Sequence, residues 1–357
     1  MCSSPNTPQS RLETIQALLL LFAVGLWGAK VILHEALSLQ SQLAFLVRDE
    51  GLTLESANAL DWDTWIRLEG AARTKLIAYC FFNLCSIAYN TPPLLLTSEI
   101  NLPLPQPSRL WRAETSWAWQ DARQTSPSME ISLQEAFSRL LHRPSQGPLD
   151  HVSSLGNYVL IHAFIQHIYL LKQTSFAAAS PFEVQRGLKV EDLEEVVQAL
   201  RVWQFGVEQH RQLRAAESGQ MAGPDGPPGG GSVAFNSTAL LRLAYIRLYT
   251  DLSPCRALES RDHFRVASAF HDAPLLVRSP RVTRAILQAI HALSMLVKVG
   301  VNYVARTKSL EWSMQHSREY HVVFLCGAGC LRGPRAAFQF ANGDSCSVQS
   351  GMCRPAV

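Results

Sequence analysis

The stretch that decides the fold is residues 62–93, WDTWIRLEGAARTKLIAYCFFNLCSIAYNTPP. Its apolar residues return every three or four positions, which is the spacing of one face of an α-helix. The helix must end before Pro92 and Pro93, because proline has no N–H to donate and restricts the residue before it. We therefore predict one long helix, and its predicted core-facing residues are Trp62, Trp65, Leu76, Ile77 and Leu84.

Similar spacing flanks this helix on both sides. The stretch from Thr14 to Val47 predicts two consecutive helices, broken near Gly25 and Gly28. Ser132-Leu-Gln-Glu135 is a capping box, so a short helix should begin near Ser132. Further helical series occupy residues 155–171, 190–213, 238–249 and 282–304.

No run of period-two alternation indicates a strand, and the LPLP frame at Leu102–Pro105 predicts an extended or irregular segment over residues 94–111. The predicted fold class is therefore all-α. We expect a single large, irregular helical domain over residues 12–316, with a flexible Gly/Pro-rich insertion at residues 218–232. Residues 317–357 hold four of the eight cysteines and little helical periodicity, and are predicted to form an irregular, disordered tail.

Composition excludes several classes of protein. With 357 residues, 47% hydrophobic and 17% charged, the chain can bury a large core and is not intrinsically disordered. A net charge of +3 without clustered Lys and Arg provides no concentrated basic face for duplex DNA. The eight cysteines form no regular disulfide framework, which favours a reducing compartment.

The uncharged run from Ala17 to Ala29 has two interpretations. It has 13 residues, whereas a membrane-spanning helix needs about 20, so we favour a buried core helix. The alternative is a secretory signal or a membrane anchor. A signal peptide would also need a basic start, but here Arg11 and Glu13 cancel.

The motifs that carry chemistry are missing or incomplete. GxSxG, GxGxxG after a strand and GxxxxGK[ST] are absent. His34-Glu35 approaches the HExxH zinc motif, but Ser38 stands where the second histidine must lie. His162 and His167 are five residues apart and point in different directions on a helix, so we interpret them as separate core and surface histidines. We predict no catalytic, cofactor-binding or metal site.

Three other groups have structural interpretations. The four cysteines of the tail could in principle bind zinc, but the spacing of a zinc knuckle is missing, and we interpret them as free thiols: Cys326, Cys330, Cys346 and Cys353. Trp111, Trp117 and Trp119 could stack on bases, yet packing against the irregular segment explains them without a basic stripe. Glu69 and Arg73 lie one helical turn apart and by themselves indicate an ion pair on a solvated face.

The order of these features resembles a known family. It runs from Trp65 through Glu69 and Arg73, an apolar helix and the Pro-Pro stop to Ser98-Glu-Ile-Asn-Leu-Pro-Leu-Pro105 and Trp111. This pattern resembles the fungal-specific transcription factor domain, with similar flanks at residues 16–21, 48–52 and 310–316. Within that family, residues 74–93 look most like the subgroup with N-terminal two-Cys two-His zinc fingers.

The resemblance implies a helical regulatory domain of a regulator of RNA polymerase II transcription, located in the nucleus and without enzymatic activity. Such a domain regulates, dimerises or responds to a small molecule, while zinc fingers read the DNA. No CxxC…HxxxH finger exists in this chain, so zinc is implied only for fingers outside it. DNA would be reached through those fingers or through a partner protein. The further partners implied are the transcription machinery and a second copy, with no membrane.

The resemblance implies no ligand for any residue, and the residues that match its motif are expected to be structural: Trp65, Glu69, Arg73, Asn83, Pro92, Pro93, Glu99, Leu102, Pro103 and Trp111. The missing fingers indicate either a truncated gene model or a fingerless paralogue, and a retained intron or shifted frame would explain the composition of the tail. Two alternative functions stay open: a membrane-anchored or secreted helical protein using residues 17–29, and an α-helical enzyme with a non-local site.

Overall fold

Helices dominate the part of the chain that the structure describes. The structure is a computed structural model and describes residues 8–26, 30–53, 61–125, 130–178, 188–217, 232–250 and 253–272, with a few single positions between 280 and 290. Over these residues no strand forms, and only two isolated β-bridges pair Thr53 with Asn101 and Pro103 with Ser132. The predicted all-α fold class is confirmed.

The described α-helices, in chain order, are α1 (Pro8–Gly25), α2 (Lys30–Asp49), α3 (Trp62–Tyr89), α4 (Ser108–Trp111), α5 (Ser116–Thr125), α6 (Leu133–His142), α7 (Ser154–Ala178), α8 (Val190–Glu217), α9 (Ser232–Tyr249) and α10 (His263–His271). Short 3-10 helices occupy Thr97–Glu99, Pro144–Gln146 and Ser253–Ser260.

Helix α3 runs through the core, as predicted. Its N-terminus is capped by the Asp61 carboxylate, which accepts from the Thr64 N–H, and it ends at Asn90 in the left-handed conformation with φ 49°. From Thr74 to Tyr89 it is buried on almost every side, because its apolar residues surround the helix instead of forming one stripe.

The predicted core residues of α3 divide into two groups. Trp65, Leu76 and Leu84 are buried, which confirms the prediction for them. Trp62 and Ile77 are only half-buried. Ile77 belongs to the one stripe of α3 at which burial is incomplete, and Trp62 lies in the first turn, at the edge of the core.

Two hydrophobic clusters form the interior. The larger one joins side chains from α1, α2, α3, α6, α7, α8 and α9. Within it α7 packs along α9, and α6 packs against both α7 and α8. A smaller cluster joins the first turns of α3 to α4 and α5 through Trp65, Leu110, Trp119 and Ala122.

Helices α1 and α2 form an antiparallel hairpin. Arg11, near the start of α1, pairs with Asp49 and Glu50, where α2 ends, at 3.4 and 2.8 Å. At the other end Gly25 lies against Ala36, and a Cβ on Gly25 would stand only 2.7 Å from the Ala36 Cβ. The predicted pair of helices and the break near Gly25 are confirmed, whereas Gly28 lies outside the described residues.

The apolar run from Ala17 to Ala29 is buried on only one of its faces, up to Leu26. Helix α1 turns Leu19, Phe22 and Leu26 into the core, which agrees with the core-helix prediction, but it leaves Leu20, Leu21 and Val24 exposed. None of the described helices has an apolar stretch long enough to cross a membrane.

Most other helices agree with the sequence patterns. Helix α6 follows Ser132, whose Oγ accepts from the Glu135 N–H at 3.2 Å. Helices α7, α8 and α9 cover the three series predicted between residues 155 and 249. The stretch 94–111 is irregular as predicted, apart from the turn Thr97–Glu99 and the single turn α4.

The short elements that were not expected from the sequence include α4, α5, α10 and the 3-10 helix Ser253–Ser260. They have between four and ten residues, too few for a periodic pattern to stand out. The predicted insertion, apart from Ser232 at the start of α9, lies outside the described residues, as do the tail from residue 317 and nearly all of the predicted helix 282–304.

Candidate functional site

The residues of the family motif lie along one segment of the chain and the helix beneath it. We call residues 91–107 the proline-rich segment. It follows α3 and ends where α4 begins at Ser108. Polar side chains from α2, α3 and α7 bind its backbone at successive points along its length.

The segment begins at a tightly bound turn after α3. The Thr91 N–H donates to the Ser86 carbonyl at 3.2 Å, and the Ser86 hydroxyl donates to the Thr91 carbonyl at 2.5 Å. Arg247 donates to the Asn90 side-chain oxygen at 3.1 Å, and Arg256 donates to the Asn90 carbonyl at the same distance. Pro92 and Pro93 then continue the chain at the surface, exposed and half-buried respectively.

Gln166 of α7 binds the next part of the segment from within the core. Its Nε2 donates to the Asn83 Oδ1 at 2.9 Å and to the Leu95 carbonyl at 2.8 Å. Its Oε1 accepts from the Thr97 N–H at 2.7 Å and from the Thr97 hydroxyl at 2.9 Å. The Tyr79 hydroxyl lies 2.8 Å from the same Thr97 hydroxyl, and burial raises the pKa of Tyr79. One amide thus joins α3, α7 and the segment.

An ion pair holds the 3-10 turn. The Arg48 Nε donates to Glu99 Oε2 at 2.6 Å, and its Nη2 donates to Glu99 Oε1 at 3.0 Å and to the Leu94 carbonyl. Glu99 Oε1 also accepts from the Leu96 N–H at 3.0 Å. The hydrogen bond from Arg48 lowers the pKa of Glu99. The same hydrogen bond raises the pKa of Arg48.

Lys75 binds the loop after α2, beside which the segment passes. The Lys75 Nζ donates to the carbonyls of Glu50 and Gly51, both at 2.8 Å, and burial lowers its pKa. The adjacent carbonyl of Leu52 accepts from the Asn101 N–H at 2.8 Å. A buried lysine therefore stabilises the backbone to which the segment is paired.

The LPLP part of the segment pairs with the chain that leads into α6. The Leu104 N–H donates to the Ile131 carbonyl, and the Leu133 N–H donates to the Leu102 carbonyl, both at 2.9 Å. Pro103, which has no N–H to donate, sits between these two bonds. Leu102 is completely buried.

The Glu69–Arg73 pair binds the end of the proline-rich segment. The prediction that this pair lies on a solvated face is wrong. The side chains are only 5% and 11% exposed, with Arg73 Nε 2.6 Å from Glu69 Oε1. That same oxygen accepts from the Gln106 N–H at 2.9 Å, and the Arg73 Nη2 donates to the Gln106 carbonyl at 2.7 Å. The Arg73 guanidinium also lies 4.5 Å from the ring centre of Trp111. The segment folds over the pair and removes it from water.

Aromatic packing follows at α4 and α5. The ring centres of Trp65 and Trp119 lie 5.5 Å apart, and the Arg123 guanidinium lies 5.1 Å from the centre of the Trp119 ring. The aromatic-packing interpretation describes Trp111 and Trp119 correctly, but Trp117 is 76% exposed.

The histidines and the cysteine with candidate chemistry are not part of the proline-rich segment. His34 is exposed on α2. His162 is completely buried, and burial lowers its pKa to about 3. His162 is thus a core residue, as predicted. His167 is half-buried and not a surface residue, and burial lowers the pKa of His167 as well. Burial raises the pKa of Cys85 to about 12, so its thiol is a poor nucleophile.

Metal-binding side chains do not cluster in the described ranges: no group of three His, Cys, Asp or Glu side chains there could hold an ion. The four tail cysteines lie outside those ranges.

Sequence reasoning missed several residues that bind the motif residues or hold the proline-rich segment. They are Arg48, Tyr79, Thr97, Gln106 and Gln166. Of these, only Arg48 belongs to a flank on which the family resemblance was based. Gln166 lies 69 to 83 residues from its partners in α3 and the segment, and nothing in its local sequence distinguishes it from a surface glutamine. The structure brings most of the motif residues to the proline-rich segment, whereas Trp65 packs against α4 and α5.

Comparison with known proteins identifies the family. Residues 2–205, more than half of the chain, match the fungal specific transcription factor domain. The chain belongs to this family. Residues 251–331 match the fungal transcription factor C-terminal domain. Both matches agree with the family resemblance that the sequence pattern indicated.

One curated relative supports the zinc-finger subgroup. The chain is 24% identical over 143 residues to the zinc finger protein zas1 of Schizosaccharomyces pombe. The match covers 40% of this chain and 15% of that relative, so the chain spans a small part of the relative's length. No solved structure matches the chain.

Proposed function

We propose that the chain is the regulatory helical module of a zinc-finger-type fungal transcription factor that acts in the nucleus on RNA polymerase II transcription. The observation that carries the proposal is the family match over residues 2–205, which contain all ten motif residues. The module would act by protein contacts with the transcription machinery, and not as an enzyme.

The geometry of the motif supports a binding role. Glu69 and Arg73 form hydrogen bonds with each other and with the Gln106 backbone, so their charges are paired within the chain. Because the segment is bonded to helices on several sides, it gives the module a defined surface. Such a surface suits a contact with another protein better than it suits chemistry on a substrate.

DNA recognition is assigned to zinc fingers outside this chain or to a partner protein. Sequence reading needs side chains that reach base edges, and affinity needs Lys and Arg near the phosphates. Around α4 and α5, Arg109 pairs with Asp121 at 3.7 Å and Arg123 lies on Trp119, so these arginines are partly engaged within the chain. Zinc would belong to the fingers alone.

A tethering experiment tests the proposal. The chain is fused to a heterologous DNA-binding domain, and transcription of a reporter with matching sites is measured in yeast. We expect the fusion to change reporter output several-fold from that of the DNA-binding domain alone. Leu76→Asp, which buries a charge in the core, should abolish this change, whereas the exposed substitution Asp121→Asn should preserve it. Output equal to that of the DNA-binding domain alone, at equal protein level, would overturn the proposal.

A further inference from the structure

The hairpin of α1 and α2 presents an apolar surface to solvent. We call it the hairpin face, and its residues are Leu20, Leu21 and Val24 of α1 with Val31 and Ile32 of α2. Their exposed fractions are 69, 62, 74, 69 and 50%. Isolated exposed apolar residues are ordinary, but five of them on one hairpin are unusual.

The two helices that carry the face are in close contact. Gly25 follows Val24 and lies one turn after Leu21, and a Cβ at Gly25 would meet the Ala36 Cβ at 2.7 Å and the Ile32 carbonyl at 3.8 Å. The absence of a side chain at Gly25 therefore brings α1 directly onto the turn of α2 that carries Ile32. Leu21 of α1 and Ile32 of α2 thus lie next to this crossing, and Leu20, Val24 and Val31 lie close to them along their own helices.

The size of the face suits the centre of a dimer interface. From their exposed fractions, the five side chains offer roughly 400 Å² of apolar surface, which is within the range of functional surface patches. A standard interface buries about 800 Å² on each partner, a little more than half of it apolar. The face would supply most of that apolar share.

Its charge distribution suits a second copy of the same chain. In a two-fold dimer the same surface meets itself, so a charge near the axis would repel its own copy. The five residues of the face carry no charge. On the next turn of α2 the exposed side chains of His34 and Glu35 can hydrogen-bond to each other across a two-fold axis.

We propose that the hairpin face is the surface through which two copies of this chain associate. The dimer buries the five aliphatic side chains at its centre and places the polar residues of α2 at its rim. This inference rests on the geometry of α1 and α2 and does not depend on the role in transcription.

Sedimentation equilibrium of the full chain tests the proposal between roughly 1 and 100 µM. We expect the unmodified chain to form a dimer and Val24→Lys to weaken the dimer at least about tenfold, because the substitution would bury a charge at the interface. Val31→Lys is the second variant on the face. Phe205→Lys is the matched control, since Phe205 is 62% exposed on α8, which packs against α6, α7 and α9. It should dimerise like the unmodified chain.

Mixing two charge variants distinguishes a second copy from any other occupant. Val24→Lys and Val24→Glu should each be monomeric and should form a mixed dimer when combined, because opposite charges then meet across the interface. Circular dichroism should show the same helical content in every variant, since these positions are exposed. A monomeric unmodified chain at the highest concentration, as expected if another segment or another protein occupies the face, would overturn the proposal. So would a dimer that the lysine variants leave intact.

Discussion

At the scale of single residues, the most informative contact is the buried carboxylate of Glu69. It accepts from Arg73 on its own helix and from the backbone of Gln106, which lies 37 residues away. A buried charge is tolerated only when it is paired and hydrogen-bonded, and here both conditions are met. Removing one partner leaves the other charge buried without compensation.

We therefore expect Glu69→Gln to lower the free energy of unfolding by about 3 kcal/mol. The matched control is Asp121→Asn, which removes the carboxylate of the exposed Arg109–Asp121 pair and should change stability by less than about 1 kcal/mol. Urea denaturation followed by circular dichroism measures both. Equal midpoints for the two variants would contradict the buried role of Glu69.

The same pair shows what local sequence can and cannot predict. Spacing of one helical turn correctly predicts that Glu69 and Arg73 meet. It does not predict that Gln106 and Trp111 cover them, because burial depends on where the chain returns after the proline stop. A solvated pair and a buried pair have the same spacing.

At the scale of structural elements, the proline-rich segment depends on side chains from its neighbours. It forms neither a helix nor a sheet for most of its length, so much of its backbone must find partners elsewhere. Gln166 supplies partners to both the Leu95 carbonyl and the Thr97 N–H from a position that is 3% exposed.

Gln166→Met should leave the buried Leu95 carbonyl and the half-buried Thr97 N–H without their side-chain partner, at a cost of about 2 kcal/mol or more. Hydrogen exchange should show the Thr97 amide exchanging at least about tenfold faster than in the unmodified chain. Gln134→Met is the matched control, because Gln134 is half-buried and donates only to the Ser98 carbonyl at the surface. An unchanged rate at Thr97 would show that Gln166 does not hold the segment.

The sequence predicts the long elements better than the short ones. Helices such as α3 and α7 contain 28 and 25 residues, so their apolar pattern repeats several times. The prolines at 92 and 93 also locate the end of α3 correctly, because the missing N–H is a local property. Helix α5 was missed because its ten residues are mostly polar and its buried residues, Trp119 and Ala122, contact other elements.

At the scale of the whole molecule, the described helices surround α3 and α7. Residues of the family motif help to attach the proline-rich segment to these two helices. Motif residues therefore preserve the shape of the module. The hairpin face, which we assign to contact with a second copy, lies outside the motif. Neither the family pattern nor local periodicity could locate that face, because its exposure depends on how α1 and α2 pack.

We propose that this module regulates transcription without reading DNA sequence itself. The most direct measurement is a mobility-shift assay at roughly 150 mM salt, using the chain alone, a two-finger module of known target, and the fusion of the two. We expect the chain alone to show no sequence-selective shift, and the fusion to have the same base preference as the fingers alone. A sequence-selective, salt-resistant shift by the unfused chain would contradict the claim and direct attention to the exposed Arg109, Arg112 and Arg123.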